Sequence, residues 1–110
     1  MIKTERSGNC VKVTLQGEID HCSAIDMRTV IEMAIKDRQV SELLLDFADV
    51  SFMDSSGVGM LIGRYKTMHA RGGKISARGL SAQTEKLYRM AGLHRIIPIE
   101  NSNEGEEQHE

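Results

Sequence analysis

The residues best suited to chemistry in this 110-residue chain form one short run, Asp54-Ser55-Ser56-Gly57. An aspartate followed by two hydroxyls, directly after an apolar segment, suits two roles. Such side chains accept hydrogen bonds from the unpaired N–H groups at the start of a helix. They also offer a hydroxyl that a kinase can phosphorylate. From these residues alone, a structural role is the simpler interpretation: Asp54 caps the helix, and Ser55 and Ser56 fill its first turn.

A serine hydrolase would use one of these two serines as its nucleophile. The elbow motif Gly-x-Ser-x-Gly requires a glycine two residues before the serine, where this chain has Met53 and Asp54. None of the three histidines before residue 101 stands in a recognisable triad context. We therefore predict no catalytic residue and no enzymatic activity.

Three glycines in the same region, Gly57, Gly59 and Gly63, loosely resemble a phosphate-binding fingerprint. That fingerprint would place a carboxylate about 20 residues further on, and segment 74–79 contains none. A small nucleotide-binding protein is therefore the weakest alternative. The spacing of Cys10 and Cys22 matches no metal site, so we predict neither a metal nor a cofactor.

Short apolar runs and amphipathic segments must position the serine motif. Alternating Val11, Val13 and Leu15 predict a strand over 10–16, and Leu43 to Phe47 predict a strand that is apolar on both faces. Further strands are predicted near the amino terminus and at 74–77 and 95–99, helices at 23–36, 55–70 and 81–90, and a connection at 48–53. The first helix would bury a stripe of Met27, Val30, Ile31, Ala34 and Ile35, and the second a stripe of Val58, Leu61, Ile62 and Tyr65.

This order of elements predicts an α/β fold with a single domain over residues 1–100. Its sheet would be mostly parallel, with four to five strands, an antiparallel edge hairpin and a cover of three to four helices. Residues 101–110 contain four glutamates and no apolar side chain. We expect them to form an acidic, disordered tail.

Charge and hydropathy exclude several kinds of partner. The formal net charge is −2, and the basic residues form no block that could follow a phosphate backbone, so we predict no nucleic-acid partner. Arg64, Lys66 and Arg71 are expected on a solvated helix face. No apolar run reaches the length needed to cross a membrane and no secretory signal is present. We expect a cytoplasmic protein without a membrane partner.

The sequence also resembles a known family. The segment Phe52-Met53-Asp54-Ser55-Ser56-Gly57, with the residues that follow it to Lys66, is similar to the STAS domain of bacterial anti-sigma factor antagonists, most closely those of the sporulation anti-sigma-F factor. Three other pieces agree in the same order: Gly17-Glu18-Ile19-Asp20-His21, Leu45-Asp46-Phe47, and Met90-Ala91-Gly92-Leu93 followed by Ile96-Ile97.

The resemblance implies that Ser55 is a phosphorylation site. It implies that the unphosphorylated protein binds an anti-sigma factor, which is also its serine kinase, and so frees a sigma factor. A PP2C-type phosphatase would reset the phosphorylated form. The partner-binding residues expected on this basis are Asp20, Asp54, Ser55, Ser56, Gly57 and Met60, and an exposed Met60 would support its assignment.

Two points remain open at this stage. A STAS scaffold subunit of a larger stress-signalling assembly would share the fold and Ser55, and differ only in its partner. The family also usually ends in a further amphipathic helix, whereas the sequence after Glu100 has no apolar stripe from which to form one.

Overall fold

The computed structural model describes residues 2–101. This part of the chain forms five strands and three α-helices: β1 (Ile2–Ser7), β2 (Cys10–Ile19), α1 (His21–Ala34), β3 (Glu42–Met53), α2 (Ser55–Ala70), β4 (Lys74–Arg78), α3 (Ala82–Met90) and β5 (Ile99–Glu100). A short 3-10 turn, Leu93–Arg95, lies between α3 and β5. No helix in residues 2–101 is long and apolar enough to span a membrane.

The strands form one sheet in the order β1-β2-β3-β4-β5. Strands β1 and β2 pair antiparallel as an edge hairpin, and every other pair is parallel. The hairpin turn contains Gly8 with a φ of 63°, a conformation that glycine adopts without strain. The predicted α/β fold, with its mixed sheet and antiparallel edge, is therefore confirmed.

The core lies on one face of the sheet. Val11, Val13 and Leu15 of β2 are buried, while the residues between them are half-buried. In β3, Leu43, Leu45 and Phe47 point to the same side, and buried side chains of all three helices join them in one cluster. The prediction that residues 43–47 are apolar on both faces is only partly confirmed. On the outer face Leu44 is apolar, but the next residue on that face is Asp46.

The predicted connection at 48–53 was wrong, because β3 continues to Met53. Its second half pairs with Gln16 to Ile19 of β2; one irregularity in register separates this half from the first, and another lies within it, between Val50 and Phe52. Each irregularity breaks the alternation of side chains between the two faces. A strand with two such breaks has no clear period-2 pattern in its sequence.

A last strand is present, but it is β5 at Ile99–Glu100, and the rest of the predicted range 95–99 is not a strand. Ile97 is fully buried, and its carbonyl accepts a 2.7 Å hydrogen bond from the Tyr88 hydroxyl. This contact belongs to an irregular segment rather than a strand. The sheet resumes when the Pro98 carbonyl accepts from Ala77 N–H at 2.9 Å, just before β5.

The prediction of α1 needs two smaller corrections. Helix α2 spans the predicted residues, but α1 begins at His21 and ends at Ala34. Val30 is 38% exposed, because it lies about 100° around the helix from the buried side made by Ala24 and Ile31. Asn101 is the last described residue, so the rest of the predicted tail lies outside the described residues, and the domain boundary stays a prediction.

Candidate functional site

Two parallel strands end side by side beneath the serine motif. Ile19 of β2 pairs with Met53 of β3, and the next backbone N–H, that of Asp54, donates to the Ile19 carbonyl at 3.0 Å. Each strand is followed by one aspartate, Asp20 or Asp54, and then by a helix. The fold thus brings together two predicted site residues that are 34 positions apart in the sequence.

Asp54 caps α2. Its backbone is extended, and its Oδ1 accepts a hydrogen bond from Ser56 N–H at 2.8 Å. This bond satisfies one of the N–H groups that a helix leaves without an intrahelical partner. The Asp54 cap predicted from the sequence is therefore confirmed, and Ser55 and Ser56 occupy the first turn as expected.

Asp20 caps α1 through a reciprocal arrangement with Ser23. The Asp20 carboxylate accepts from Ser23 N–H at 2.9 Å, and the Ser23 hydroxyl accepts from Asp20 N–H at 2.9 Å, which is a capping box. The same hydroxyl donates to the Glu18 carbonyl at 2.7 Å. The hydrogen bonds from Ser23 lower the pKa of Asp20 below its ordinary value, so this carboxylate is charged at neutral pH.

Ser55 occupies the first position of α2 and is exposed. Its hydroxyl forms no hydrogen bond with any residue in the described part of the chain, whereas the next serine, Ser56, is half-buried. Of the two hydroxyls, that of Ser55 is the more accessible to another protein. This geometry favours Ser55 over Ser56 as the residue to be modified.

Gly57 is required by packing. A Cβ atom on this residue would lie 2.5 Å from Met53 Cγ and 2.9 Å from Ile19 Cγ2, and both distances are shorter than any normal contact. Only glycine allows α2 to start this close to β2 and β3. Gly57 is itself buried, so it shapes the predicted partner surface without presenting a side chain to it.

Met60 is only 7% exposed, so the exposed methionine that would have supported an interface role is not found. An exposed apolar side chain that lies near the site is Phe52, at 41%, two residues before the Asp54 cap. Sequence reasoning did not select Phe52 as a site residue. The register of β3 against β2 shifts just before this residue, so the sequence around it shows no regular alternation of apolar and polar side chains.

A groove of about 420 Å³ runs between α1 and α2, next to the serine motif. Its walls include His21, Ile25 and Arg28 from α1, and Ser56, Met60 and Arg64 from α2. Arg64 is 7% exposed, which corrects the prediction of a solvated side chain. The sequence pattern concealed this because an arginine on an amphipathic helix is usually exposed.

Within the described part of the chain, the Arg64 guanidinium forms an ion pair with Glu32. Its Nε lies 3.0 Å from Glu32 Oε2, close enough for an ion pair but outside hydrogen-bond geometry, so Nε and Nη1 both lack a hydrogen-bond acceptor within residues 2–101. Burial lowers the pKa of Arg64; Glu32 opposes this shift and Arg28 adds to it. An arginine side chain nevertheless stays protonated in proteins.

No group of three or more metal-binding side chains occurs among the residues that the structure describes. In the same range, Cys10 and Cys22 are both free thiols. The site therefore consists of two capping aspartates, an exposed serine and the groove beside them.

These features define a small α/β domain with a mixed sheet covered on one face, and with two capped helices that begin side by side. The model of the STAS domain matches residues 1–105. The chain belongs to the STAS domain family.

Relatives with assigned functions agree with this family. The chain is 35% identical over 98 residues to an anti-sigma F factor antagonist of Paenibacillus polymyxa, covering 89% of this chain and 84% of the relative. It is 32% identical over 105 residues to an anti-sigma-B factor antagonist of Bacillus subtilis, covering 94% of each.

Solved structures agree as well. The anti-sigma factor antagonist SpoIIAA in its unphosphorylated form matches with a TM-score of 0.69 and 31% identity, over 81% of this chain and 82% of that one. The phosphorylated form of SpoIIAA, a Bacillus cell fate determinant, matches with a TM-score of 0.73 and 28% identity over the whole of both chains.

Proposed function

We propose that this protein is an anti-sigma factor antagonist. In its unphosphorylated form it binds a cognate anti-sigma factor, which is also a serine kinase, and so releases a sigma factor. Phosphorylation of Ser55 switches this binding off. The observation that carries the proposal is the exposed Ser55 hydroxyl, which forms no hydrogen bond within the described residues and stands at the first position of a capped helix. The functions of the relatives support the choice of partner.

The charge of a phosphate explains how such a switch would work. Phosphorylation adds about −1.5 to −2 charge at neutral pH. Helix α2 would tolerate that charge, because the start of a helix is its positive end. A docking partner would not, since Asp54 already precedes Ser55 and Asp20 follows the neighbouring strand. Removing this negative charge from water would cost several kcal/mol unless the partner supplied a matching cation.

The proposed docking surface is made of Asp20, Asp54, Ser55 and Ser56. Beneath it, Gly57 lets α2 start close to the sheet and Met60 is buried, so both contribute through shape. A PP2C-type phosphatase would remove the phosphate and restore binding. In this scheme the protein acts in the cytoplasm as a binding partner, and catalysis belongs to the kinase and the phosphatase.

The test is phosphorylation by the cognate anti-sigma kinase with ATP, read by intact mass and peptide mapping. We expect one phosphate per wild-type chain, located on Ser55. Ser55→Ala should remain unmodified, and the matched control Ser56→Ala should be modified like wild type. A wild-type chain that binds the kinase tightly but gains no phosphate would leave Ser55 as a surface residue and favour a constitutive scaffold.

A second measurement tests how the phosphate acts. Ser55→Asp should weaken binding of the anti-sigma factor while its near-ultraviolet circular dichroism stays close to that of wild type, because charge and bulk at the surface oppose docking. A large change in the dichroism of this variant would mean that the switch works by refolding the domain, contrary to the proposal.

A further inference from the structure

The groove between α1 and α2 contains a buried charge that the domain does not neutralise well. Arg64 is more than nine-tenths buried, and its Nη1 has no hydrogen-bond acceptor among the described residues. An unsatisfied buried donor costs about 1–3 kcal/mol, and more when it is charged. Its ion-pair partner in the described range, Glu32, has a side chain that is 41% exposed, so solvent weakens the pair.

The cations around the groove outnumber the acids. Arg28 lines the groove and lies close enough to Arg64 to affect its pKa. It also borders the adjoining hollow on α1, together with Glu32 and Lys36. Against these three cations, the described residues that line the groove and the hollow include one carboxylate, that of Glu32. A ligand with a negative charge therefore suits the groove.

Exposed apolar side chains border the same surface. Ile25 is 54% exposed and Met33 is 68% exposed, and both line the hollow on α1 that Arg28 shares with the groove. Aliphatic side chains beside cations fit a protein segment better than they fit a free anion. On the other side, the groove reaches Ser56, so it adjoins the docking surface proposed above.

We propose that this groove binds a carboxylate side chain from an acidic, partly apolar segment of the anti-sigma factor. Arg28 makes the exposed contact and Arg64 supplies the buried charge behind it, while Ile25 and Met33 cover the apolar part of the segment. The inference rests on the proposed function and extends it, because it adds a second binding contact with the anti-sigma factor, separate from the one at Ser55.

Glycines keep the groove open and provide an uncharged test. A Cβ atom added at Gly59 or Gly63 would meet nothing within 4 Å, and both residues line the groove. A larger side chain at Gly63 can therefore fill the groove without disturbing the core. Gly63→Leu should weaken the complex without altering any charge.

The experiment measures the dissociation constant of the full, unphosphorylated chain with the anti-sigma factor by calorimetry. Arg28→Glu should weaken binding by about 10-fold or more at low salt, and less at high salt, as expected for a close charge pair. The matched control is Lys66→Glu. This exposed residue lies about 200° around α2 from Arg64, and its reversal should change affinity by less than about 2-fold. An Asp or Glu to Lys substitution in the anti-sigma factor should restore binding to Arg28→Glu.

Three outcomes would overturn the inference. If Arg28→Glu behaves like Lys66→Glu while Ser55→Asp still blocks binding, the switch stands and the groove has no part in it. If the wild-type chain does not bind the anti-sigma factor, the proposed function fails and the inference with it. If changing the tail residues Glu104, Glu106, Glu107 and Glu110 to Gln strengthens binding in wild type but not in Arg28→Glu, the occupant is the chain's own acidic segment.

Discussion

The two helices that begin at the same edge of the sheet share an aspartate cap but differ in the next three residues. Helix α1 starts with His21-Cys22-Ser23, and α2 starts with Ser55-Ser56-Gly57. At the first junction the third helical residue is a serine that closes a capping box. At the second it is a glycine, because a Cβ there would collide with Met53 and Ile19.

This difference decides what each serine can do. The Ser23 hydroxyl both accepts and donates hydrogen bonds within its junction, so a phosphate on it would break the cap. The Ser55 hydroxyl has no such bond in the described part of the chain, and Asp54 alone caps α2 through Ser56 N–H. A modification of Ser55 therefore leaves the local hydrogen bonds intact. A serine at the third helical position, like Ser23, belongs to the cap. A serine at the first position, like Ser55, is suited to modification.

The largest effect that would test this comparison is expected at Gly57. Gly57→Ala forces a Cβ to within 2.5 Å of Met53 Cγ, and overpacking of this kind typically costs about 1–3 kcal/mol. Urea unfolding should show the loss. The matched control is Gly59→Ala two residues later, where a Cβ meets nothing within 4 Å and helix propensity predicts a gain of up to about 1 kcal/mol. Equal stability of the two variants would show that Gly57 is not tightly packed.

The next effect is expected at the cap of α2. Among residues 2–101, Asp54 supplies the only side chain that accepts from the first turn of this helix. We expect Asp54→Ala to lose about 1 to 2 kcal/mol in the free energy of unfolding. Asp54→Asn keeps an acceptor oxygen and should stay close to wild type in the same urea measurement. A large loss in Asp54→Asn would mean that the negative charge, rather than the hydrogen bond, supports α2.

A smaller effect is expected at the capping box of α1. Ser23→Ala leaves the Ser23 N–H to Asp20 bond in place but removes the hydroxyl, which should cost about 0.5 to 1 kcal/mol at pH 7. Because the pKa of Asp20 is lowered in the folded state, its stabilising contribution is present above the ordinary value of 3.8. That contribution is lost as the pH falls through the lower, folded-state value.

Since Ser23→Ala weakens the cause of this pKa shift, two results follow. The pKa of Asp20, measured by carboxyl NMR titration, should rise toward its ordinary value. The stability difference between wild type and variant should also narrow below about pH 4. A difference that stays constant from pH 7 to pH 3 would show that the hydroxyl acts independently of the Asp20 charge.

The sequence predicted the elements whose side chains follow a regular period. Alternating Val11, Val13 and Leu15 identified β2, and the glycine pair after residue 71 marked the end of α2. The second half of β3 was missed because its register shifts twice against β2. The segment with Ile96 and Ile97 was misread because a short apolar run fits a strand and a buried irregular segment equally well.

The sequence likewise predicted some residues of the candidate site and missed others. The order of residues placed Asp54 and Ser55 at the start of a helix, and the family resemblance added Asp20. No local pattern distinguished the buried Arg64 from an ordinary exposed arginine. Its burial results from the packing of α2 against α1, which brings it next to Glu32, 32 residues away in the sequence, so only the packed structure could reveal it.

The smallest effect is expected at Ser55 itself, and it is the sharpest test of the comparison between the two junctions. Ser55→Ala removes an exposed hydroxyl that has no hydrogen bond within residues 2–101. Its free energy of unfolding should therefore lie within about 0.5 kcal/mol of wild type, and below the loss seen for Ser23→Ala in the same urea titration. A loss of 1 kcal/mol or more would make the Ser55 hydroxyl part of the cap, and its modification would then disturb the fold as well as the surface.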